Sequence, residues 1–377
     1  MKVAFISNYL NHHQLPFCLE MSAKEDVEYY FIATEKISQR RINLGYEDMN
    51  SKYDFVIETY KGKEEERKAQ DIINTSDFVI IGSAPEYYIN RRKRENLFIF
   101  RYSERIFKKG ICRVSTIKTI LSLRIKRSKE KKKPIYMLCS SAYAKQDYQL
   151  AGLYKDKCYK WGYFPETVRY DIDRLIQDKE NNETIKLLWV ARFIDWKHPE
   201  VVVELAEKLQ KENYKFKIEM IGCGEMLDEI KKIVKQKKLN NVIEIVGAVK
   251  SEKVREYMEK ANIFLATSDQ NEGWGAVINE AMNSGCAVVG NKKIGSVPYL
   301  IENNKNGIIY ENKQEFFEKV KYLIDNKEMR DTISKNAYNT ITNIWNAQIA
   351  TENLIKLYEE MKNKQIINIV DGPCSKA

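Results

Sequence analysis

The chain has 377 residues, 44% hydrophobic and 31% charged, with a formal net charge of +10. That length is too great for one core and suits two domains, and the composition is that of an ordinary globular protein. No run of about eighteen apolar residues argues for a spanning helix, and the seven cysteines lack paired metal-ligand spacing, which fits core thiols in a reducing cytoplasm.

Met1-Lys2-Val3-Ala4-Phe5-Ile6-Ser7 is too short and too soon polar for a signal peptide and reads as a first buried strand. Further strands are expected over Val27 to Ala33, Phe78 to Gly82, Leu97 to Arg101, Ile135 to Ser140 and Cys158 to Tyr163, alternating with polar helical stretches. Their spacing fits βαβ units around a parallel sheet.

Residues 91–133 hold seventeen Lys or Arg against three Glu, a local +14 that leaves the rest of the chain at −4. Within them Ile111, Val114, Ile117, Leu121 and Ile125 recur at three- and four-residue steps, describing an amphipathic helix with basic neighbours that ends in Lys129-Glu130-Lys131-Lys132-Lys133. Anionic lipid at a cytoplasmic leaflet suits such a surface. Nucleic acid would need a recognised binding motif, which does not accompany the charge, and the bland reading is a solvated lysine-rich face. The expectation is a cytoplasmic protein in peripheral contact with anionic membrane through 91–133, without a nucleic-acid partner.

A polar stretch from Glu166 to Thr184 reads as an interdomain connection. The second half restarts the rhythm with strands at Lys186 to Val190, Lys217 to Ile221, Val242 to Val246, Ile263 to Thr267, Ala287 to Gly290 and Gly307 to Tyr310, and Pro199 opens a helix. Two similar α/β halves predict two Rossmann-like domains facing one cleft. A last helix is expected from about Asn346 to Lys362, and the short tail beyond Lys364 is assigned no function.

The most informative run is Leu265-Ala266-Thr267-Ser268-Asp269-Gln270-Asn271-Glu272-Gly273-Trp274-Gly275-Ala276-Val277-Ile278-Asn279-Glu280-Ala281-Met282, followed by Gly285-Cys286-Ala287-Val288-Val289. It reads as strand, loop, helix and next strand, so the loop belongs at the carboxyl end of the sheet, where open α/β folds bind ligands. Glycines allow close backbone approach, a helix start offers N–H groups to phosphate, and ionised carboxylates accept bonds from sugar hydroxyls.

This segment resembles the signature of retaining, nucleotide-sugar-dependent glycosyltransferases of family 4, which have the two-domain GT-B fold. The resemblance implies that Glu272 binds the donor sugar, Glu280 the ribose, and the turn Gly273, Trp274 and Gly275 the donor. Arg192 and Lys197, in Trp189-Val190-Ala191-Arg192-Phe193-Ile194-Asp195-Trp196-Lys197-His198-Pro199, resemble the family's Arg-x4-Lys pair that holds the diphosphate; a guanidinium and an ammonium ahead of a helix start would neutralise it. Gly222, in Gly222-Cys223-Gly224-Glu225, resembles the glycine turn near the base. The family often carries a glycine pair after its first strand; this chain has Ser7-Asn8-Tyr9-Leu10-Asn11-His12-His13-Gln14 there, making Asn11, His12 and His13 cleft candidates. No histidine lies between His13 and His198, so the family's sugar-contacting histidine has no counterpart. Ser103 and Glu104 occupy a plausible equivalent place, and Ser140-Ser141-Ala142-Tyr143 resembles another cleft-lining turn. Asp171-Ile172-Asp173 matches a metal-holding triplet of another fold, but in a polar connector it reads as a solvated patch.

The predicted architecture is therefore α/β GT-B: an acceptor-binding domain over 1–168, a nucleotide-sugar-binding domain over 185–345, and a helix over 346–363 returning to the first. The predicted activity is sugar transfer with retention from a nucleotide-diphosphate donor to a hydroxyl of a glycan or lipid-linked acceptor, as in polysaccharide assembly. No metal or other cofactor is expected, because the two cations serve the diphosphate, and the domains are expected to close over the donor and exclude water. The alternatives are a GT-B nucleotide-sugar epimerase, or a nucleic-acid- or membrane-binding protein without catalysis.

Overall fold

A computed structural model describes residues 1–39, 42, 47–108, 110, 114–181 and 184–377. Ile111 and Cys112, and the side chain of Val114, lie outside the described part. The chain divides into two compact units, one of residues 1–166 with 346–377, the other of residues 167–345. Among the described residues no helix is long and apolar enough to cross a membrane.

The first unit is built on strands β1 (Lys2–Ser7), β2 (Glu28–Ala33), β3 (Val56–Glu58), β4 (Phe78–Ile81), β5 (Phe98–Ser103), β6 (Ile135–Cys139) and β7 (Cys158–Lys160), hydrogen-bonded in the order β3-β2-β1-β4-β5-β6-β7. All neighbours are parallel. Val3 to Ile6 and Phe78 to Ile81 are buried without alternation, as expected of parallel strands covered on both faces. β5 runs two residues past the predicted Arg101, because Tyr102 and Ser103 still pair with Leu138 and Cys139. β7 stops at Lys160, short of the predicted Tyr163. β3, an edge strand of three residues, has no sequence expectation at all.

The basic segment is less of a surface than its composition implies. Arg92 is buried and donates to the carbonyls of Ile73, Ser76, Asp77 and Phe98. Arg101 is buried too, with Glu130 2.9 Å away and Glu86 on its other side. These charges are internal brackets between strands and helices, since a buried cation persists only where acceptors surround it.

The chain returns to this unit through the helix Ala347–Lys362, whose N-cap Asn346 accepts from the Ile349 amide at 2.9 Å. It packs on the helix Leu15–Ser22, and Tyr358 sets its ring 4.9 Å from Phe78 and 5.1 Å from Phe98. The tail then runs antiparallel along the edge of β7: the Cys374 amide donates to Lys160 O at 2.7 Å and the Lys160 amide to Ser375 O at 2.8 Å. The tail thus has a structural role where none was assigned, covering a sheet edge that would otherwise be open to pairing.

The second unit holds β8 (Ile185–Val190), β9 (Phe216–Ile221), β10 (Ile243–Gly247), β11 (Ile263–Ala266), β12 (Ala287–Asn291) and β13 (Ile308–Tyr310), in the order β10-β9-β8-β11-β12-β13 and again parallel. Its core joins Leu187, Trp189, Ile218, Leu265 and Val289 to Phe316, Val320 and Ile333. The polar stretch after Glu166 belongs to this unit, which begins at 167 and not at 185. It contains a helix, Ile172–Glu180, capped by Asp171, whose Ile172 and Ile176 pack on Tyr338. Asp173 pairs with Lys335 at 2.7 Å.

Candidate active site

In the second sheet the chain leaves β8 for β9 on one side and β11 for β12 on the other. Between these two neighbours the direction of winding reverses, and open α/β sheets bind ligands outside the carboxyl ends of the strands at such a point. The loops over residues 191–198 and 267–276 leave β8 and β11 there. They are tied together at several points. Thr267 Oγ1 donates to Lys197 O at 2.5 Å and accepts from Trp189 Nε1 at 2.8 Å, and the Asp269 amide donates to Trp196 O at 3.1 Å. His198 spans both loops, with Nδ1 3.0 Å from Glu200 and Nε2 3.6 Å from Asp269.

Within this frame Lys197 and Glu272 form a direct ion pair, their side chains 12% and 15% exposed. Ser268 Oγ also donates to Glu272 Oε2, at 3.2 Å. Lys197 Nζ lies 4.4 Å from the centre of the Trp196 ring, and the exposed Arg192 guanidinium lies 5.6 Å from it, so one indole carries both cations. Beneath the pair, a void bordered by Trp189, Leu265, Thr267 and Ile278 as well as by Lys197 and Glu272 measures only about 10 Å³, room for one water at most. A polyanion can draw Lys197 outward and leave Glu272 as an acceptor for a hydroxyl.

The glycines explain how these loops come so close. Gly275 has φ +87°, and a Cβ there would stand 3.3 Å from Glu272 Cγ and 3.1 Å from Ile294. At Gly222, with φ +141°, a Cβ would fall 1.9 Å from the carbonyl oxygen of Ala191, so this turn lies directly against the loop that carries Arg192. Its place is at the carboxyl end of β9, beside the site.

Glu280 lies one turn into the helix Val277–Asn283, part-buried; burial pushes its carboxyl up to about 7, against the pull of Arg255. The Trp274 ring is fully buried, donates to Asn279 Oδ1 at 2.9 Å, and packs 5.9 Å from Trp345 and 6.2 Å from Tyr299, anchoring the turn; Gly273 beside it is buried as well.

In the first unit, Asn11 shapes the turn after β1, its Oδ1 accepting from the amides of His13 at 3.0 Å and Gln14 at 3.2 Å. The rings of His12 and His13 are 3.7 Å apart, and His13 stacks on Tyr163 at 5.6 Å and 8°. The Tyr163 hydroxyl donates to Glu104 at 2.6 Å, Lys108 pairs with the same carboxylate at 2.7 Å, and Ser103 accepts from Tyr148 at 2.9 Å. The candidates from β1 and β5 are thus joined through Tyr163, just past β7. Sequence reasoning missed Tyr163, as it missed Trp196, His198, Thr267, Ser268 and Asp269. A hydroxyl residue directly past a buried strand was the available signal for Thr267 and Ser268.

Residues 171–340 match the model of the family described as glycosyl transferases group 1. Over 131 residues the chain is 29% identical to the amylovoran biosynthesis glycosyltransferase AmsK of Erwinia amylovora, covering 33% of this chain and 32% of that protein. Over 185 residues it is 28% identical to the alpha-monoglucosyldiacylglycerol synthase of Acholeplasma laidlawii, covering 48% and 44%. The chain thus spans about a third to a half of the length of the curated relatives it matches. The crystal structure of HepE from Anabaena in complex with UDP superimposes with a TM-score of 0.70 over 96% of this chain and 100% of that one, at 14% identity. That likeness establishes the GT-B type of fold, two Rossmann-like parallel-sheet halves, which the signature run implied.

Proposed function

We propose that this chain is a retaining glycosyltransferase that moves a hexose-type sugar from a nucleotide-diphosphate donor to a hydroxyl of a glycan or lipid-linked acceptor, in polysaccharide or glycolipid assembly. The observation that carries the reading is the Lys197–Glu272 contact, made between two loops at the switch point of the second sheet, with Arg192 on the same indole. The donor diphosphate takes Lys197 from Glu272 and is held by Lys197 and Arg192; Glu272 then accepts from the donor sugar and Glu280 from the ribose. As the bond from the anomeric carbon to the phosphate oxygen breaks, negative charge grows on the diphosphate, where both cations already stand. The acceptor oxygen bonds to the anomeric carbon on the same face, and its proton passes to the leaving phosphate oxygen. These two side-chain cations supply the neutralisation for which other enzymes use a divalent metal. The acceptor side belongs to the cluster of His13, Tyr163, Glu104 and Ser103. The matches to AmsK and to the glucolipid synthase support the substrate classes named.

The test is thermal unfolding with a panel of UDP-, GDP- and dTDP-sugars, followed by transfer assays with the donor that binds. A ligand at a hundredfold excess over its Kd stabilises by about 2.7 kcal/mol, a readily measured shift in Tm. One nucleotide class is expected to stabilise the wild type and to fail with Lys197→Ala. Indifference to every nucleotide sugar would overturn the reading.

A further inference from the structure

The helix Val114–Arg127 carries Lys118, Arg124, Lys126 and Arg127 and no acidic residue. Ile120 and Leu123 pack against the first unit's core. Ile117, Leu121 and Ile125, at four-residue steps, form a separate stripe that faces solvent, 55%, 52% and 77% exposed. Four-residue spacing puts them on one helix face, and exposed aliphatic side chains in a row are costly unless something apolar receives them.

Next to the end of this helix lies a cavity of about 200 Å³ lined by Arg127, Lys131, Lys155, Lys157 and Tyr154. Glu130 also borders it, but its carboxylate is held by Arg101 at 2.9 Å and Lys93 at 3.2 Å, so the remaining charge is positive. Arg124 joins stripe and cavity: its Nη2 donates to Leu150 O at 3.1 Å, and a Cβ added at Gly152 would lie 3.8 Å from Arg124 Nε and 3.9 Å from Lys131 Nζ. Leu150 is itself 44% exposed. Arg127 is fixed by the Tyr154 hydroxyl at 2.9 Å, and Lys157 by Lys133 O at 2.6 Å.

We infer that this face is a docking surface for an anionic phospholipid bilayer, in which Ile117, Leu121 and Ile125 enter the acyl boundary and the cavity beside Arg127 and Lys131 takes a lipid phosphate headgroup. Charge complementarity selects this occupant. A second copy of the chain would bring like charges together across the stripe. Single-stranded nucleic acid binds through aromatic platforms, and the stripe is aliphatic. A basic helix with an aliphatic face suits the interface of a negatively charged leaflet. The surface lies within the first unit and does not depend on the transfer reaction.

The experiment is co-sedimentation with vesicles of phosphatidylcholine alone and of phosphatidylcholine mixed with phosphatidylglycerol. The wild type is expected to bind only the mixed vesicles. Ile117→Ser/Leu121→Ser/Ile125→Ser and, separately, Lys131→Ala/Lys155→Ala are each expected to weaken that binding about tenfold or more, with thermal unfolding and nucleotide-sugar stabilisation unchanged. Ile125→Trp gives a second readout: its fluorescence should shift to the blue on mixed vesicles, beyond the wild-type change. Wild-type protein that ignores phosphatidylglycerol overturns the inference, as does undiminished binding by the apolar variant, which leaves only a solvated or polyanion-binding charge. Dimerisation that depends on the stripe, without vesicle binding, assigns the face to a second copy instead. Donor stabilisation reports on the catalytic reading alone, so the two can fail separately.

Discussion

Lys197 and Glu272 neutralise each other in the ligand-free site, so removing either leaves the other part-buried without its partner. Lys197→Ala and Glu272→Ala are each expected to lower the transfer rate by about 10²- to 10³-fold, the scale of losing one preorganised charge at a developing anion. The bonds that tie the two loops together through Thr267, Asp269 and His198 do not involve either side chain, so circular dichroism should be unchanged, and normal turnover would remove the assigned role. His198 is a second residue with a measurable consequence. The hydrogen bond with Glu200 raises its pKa against burial, with Asp269 and Asp195 adding to the rise. Its contribution to stability is therefore full below the unfolded pKa of about 6.5 and disappears as pH rises through the higher folded value. Comparing urea unfolding of wild type and His198→Asn, which tolerates the backbone φ of 52°, should show a wild-type advantage at acid pH that is gone well above neutrality. An advantage that does not change with pH would rule this linkage out. Sequence reasoning reached the charged residues here because diphosphate and hydroxyl chemistry narrows the residue types that can serve. The burial of the Trp274 ring was not legible, since a ring between two glycines reads alike whether it faces a ligand or a core, and its neighbours Tyr299 and Trp345 are distant in the chain.

Most strands were legible as uninterrupted apolar runs, because a parallel strand buried on both faces leaves no polar alternation to confuse it. What escaped were elements whose polar residues are themselves structural. The helix Ile172–Glu180 looked like a linker since it is rich in charge, yet Lys179 is buried and donates to Ser284 O at 2.6 Å, Gly285 O at 2.8 Å and Met258 O at 3.1 Å. Burial pulls its pKa down, and three carbonyls are what keep it in place. Two of them end the helix Val277–Asn283, which bears Glu280, so Lys179 acts as a C-terminal cap delivered from another element. Lys179→Met should cost about 3 kcal/mol, because it strands buried carbonyls, and urea titration measures it. A loss within error of zero would mean that water replaces the ammonium. The tail was equally illegible: its bonds to β7 are backbone bonds, and backbone pairing leaves little trace in side-chain pattern.

At the scale of the molecule the two units differ in how the chain composes them. The first is discontinuous and needs residues 346–377 to cover Phe78, Phe98 and the edge of β7. The second is one unbroken stretch, 167–345, containing its own core and Arg192, Lys197, Glu272 and Glu280. Residues 167–345 expressed alone are therefore expected to unfold cooperatively and to be stabilised by the same nucleotide class as the whole chain, since the core and the four proposed donor-binding residues all lie inside that stretch. Its last residue matters. Trp345 is buried, stacks on Tyr299 at 5.8 Å and supports Trp274 beneath the turn that holds Glu272. Trp345→Ala in the isolated stretch should cost about 3–5 kcal/mol through the cavity it opens and should weaken nucleotide-sugar stabilisation, because the turn loses its floor. Calorimetry of the two proteins, with and without the ligand, checks both effects. A Trp345→Ala protein that loses stability yet keeps full ligand-induced stabilisation would show that the tryptophan supports the core and not the donor turn.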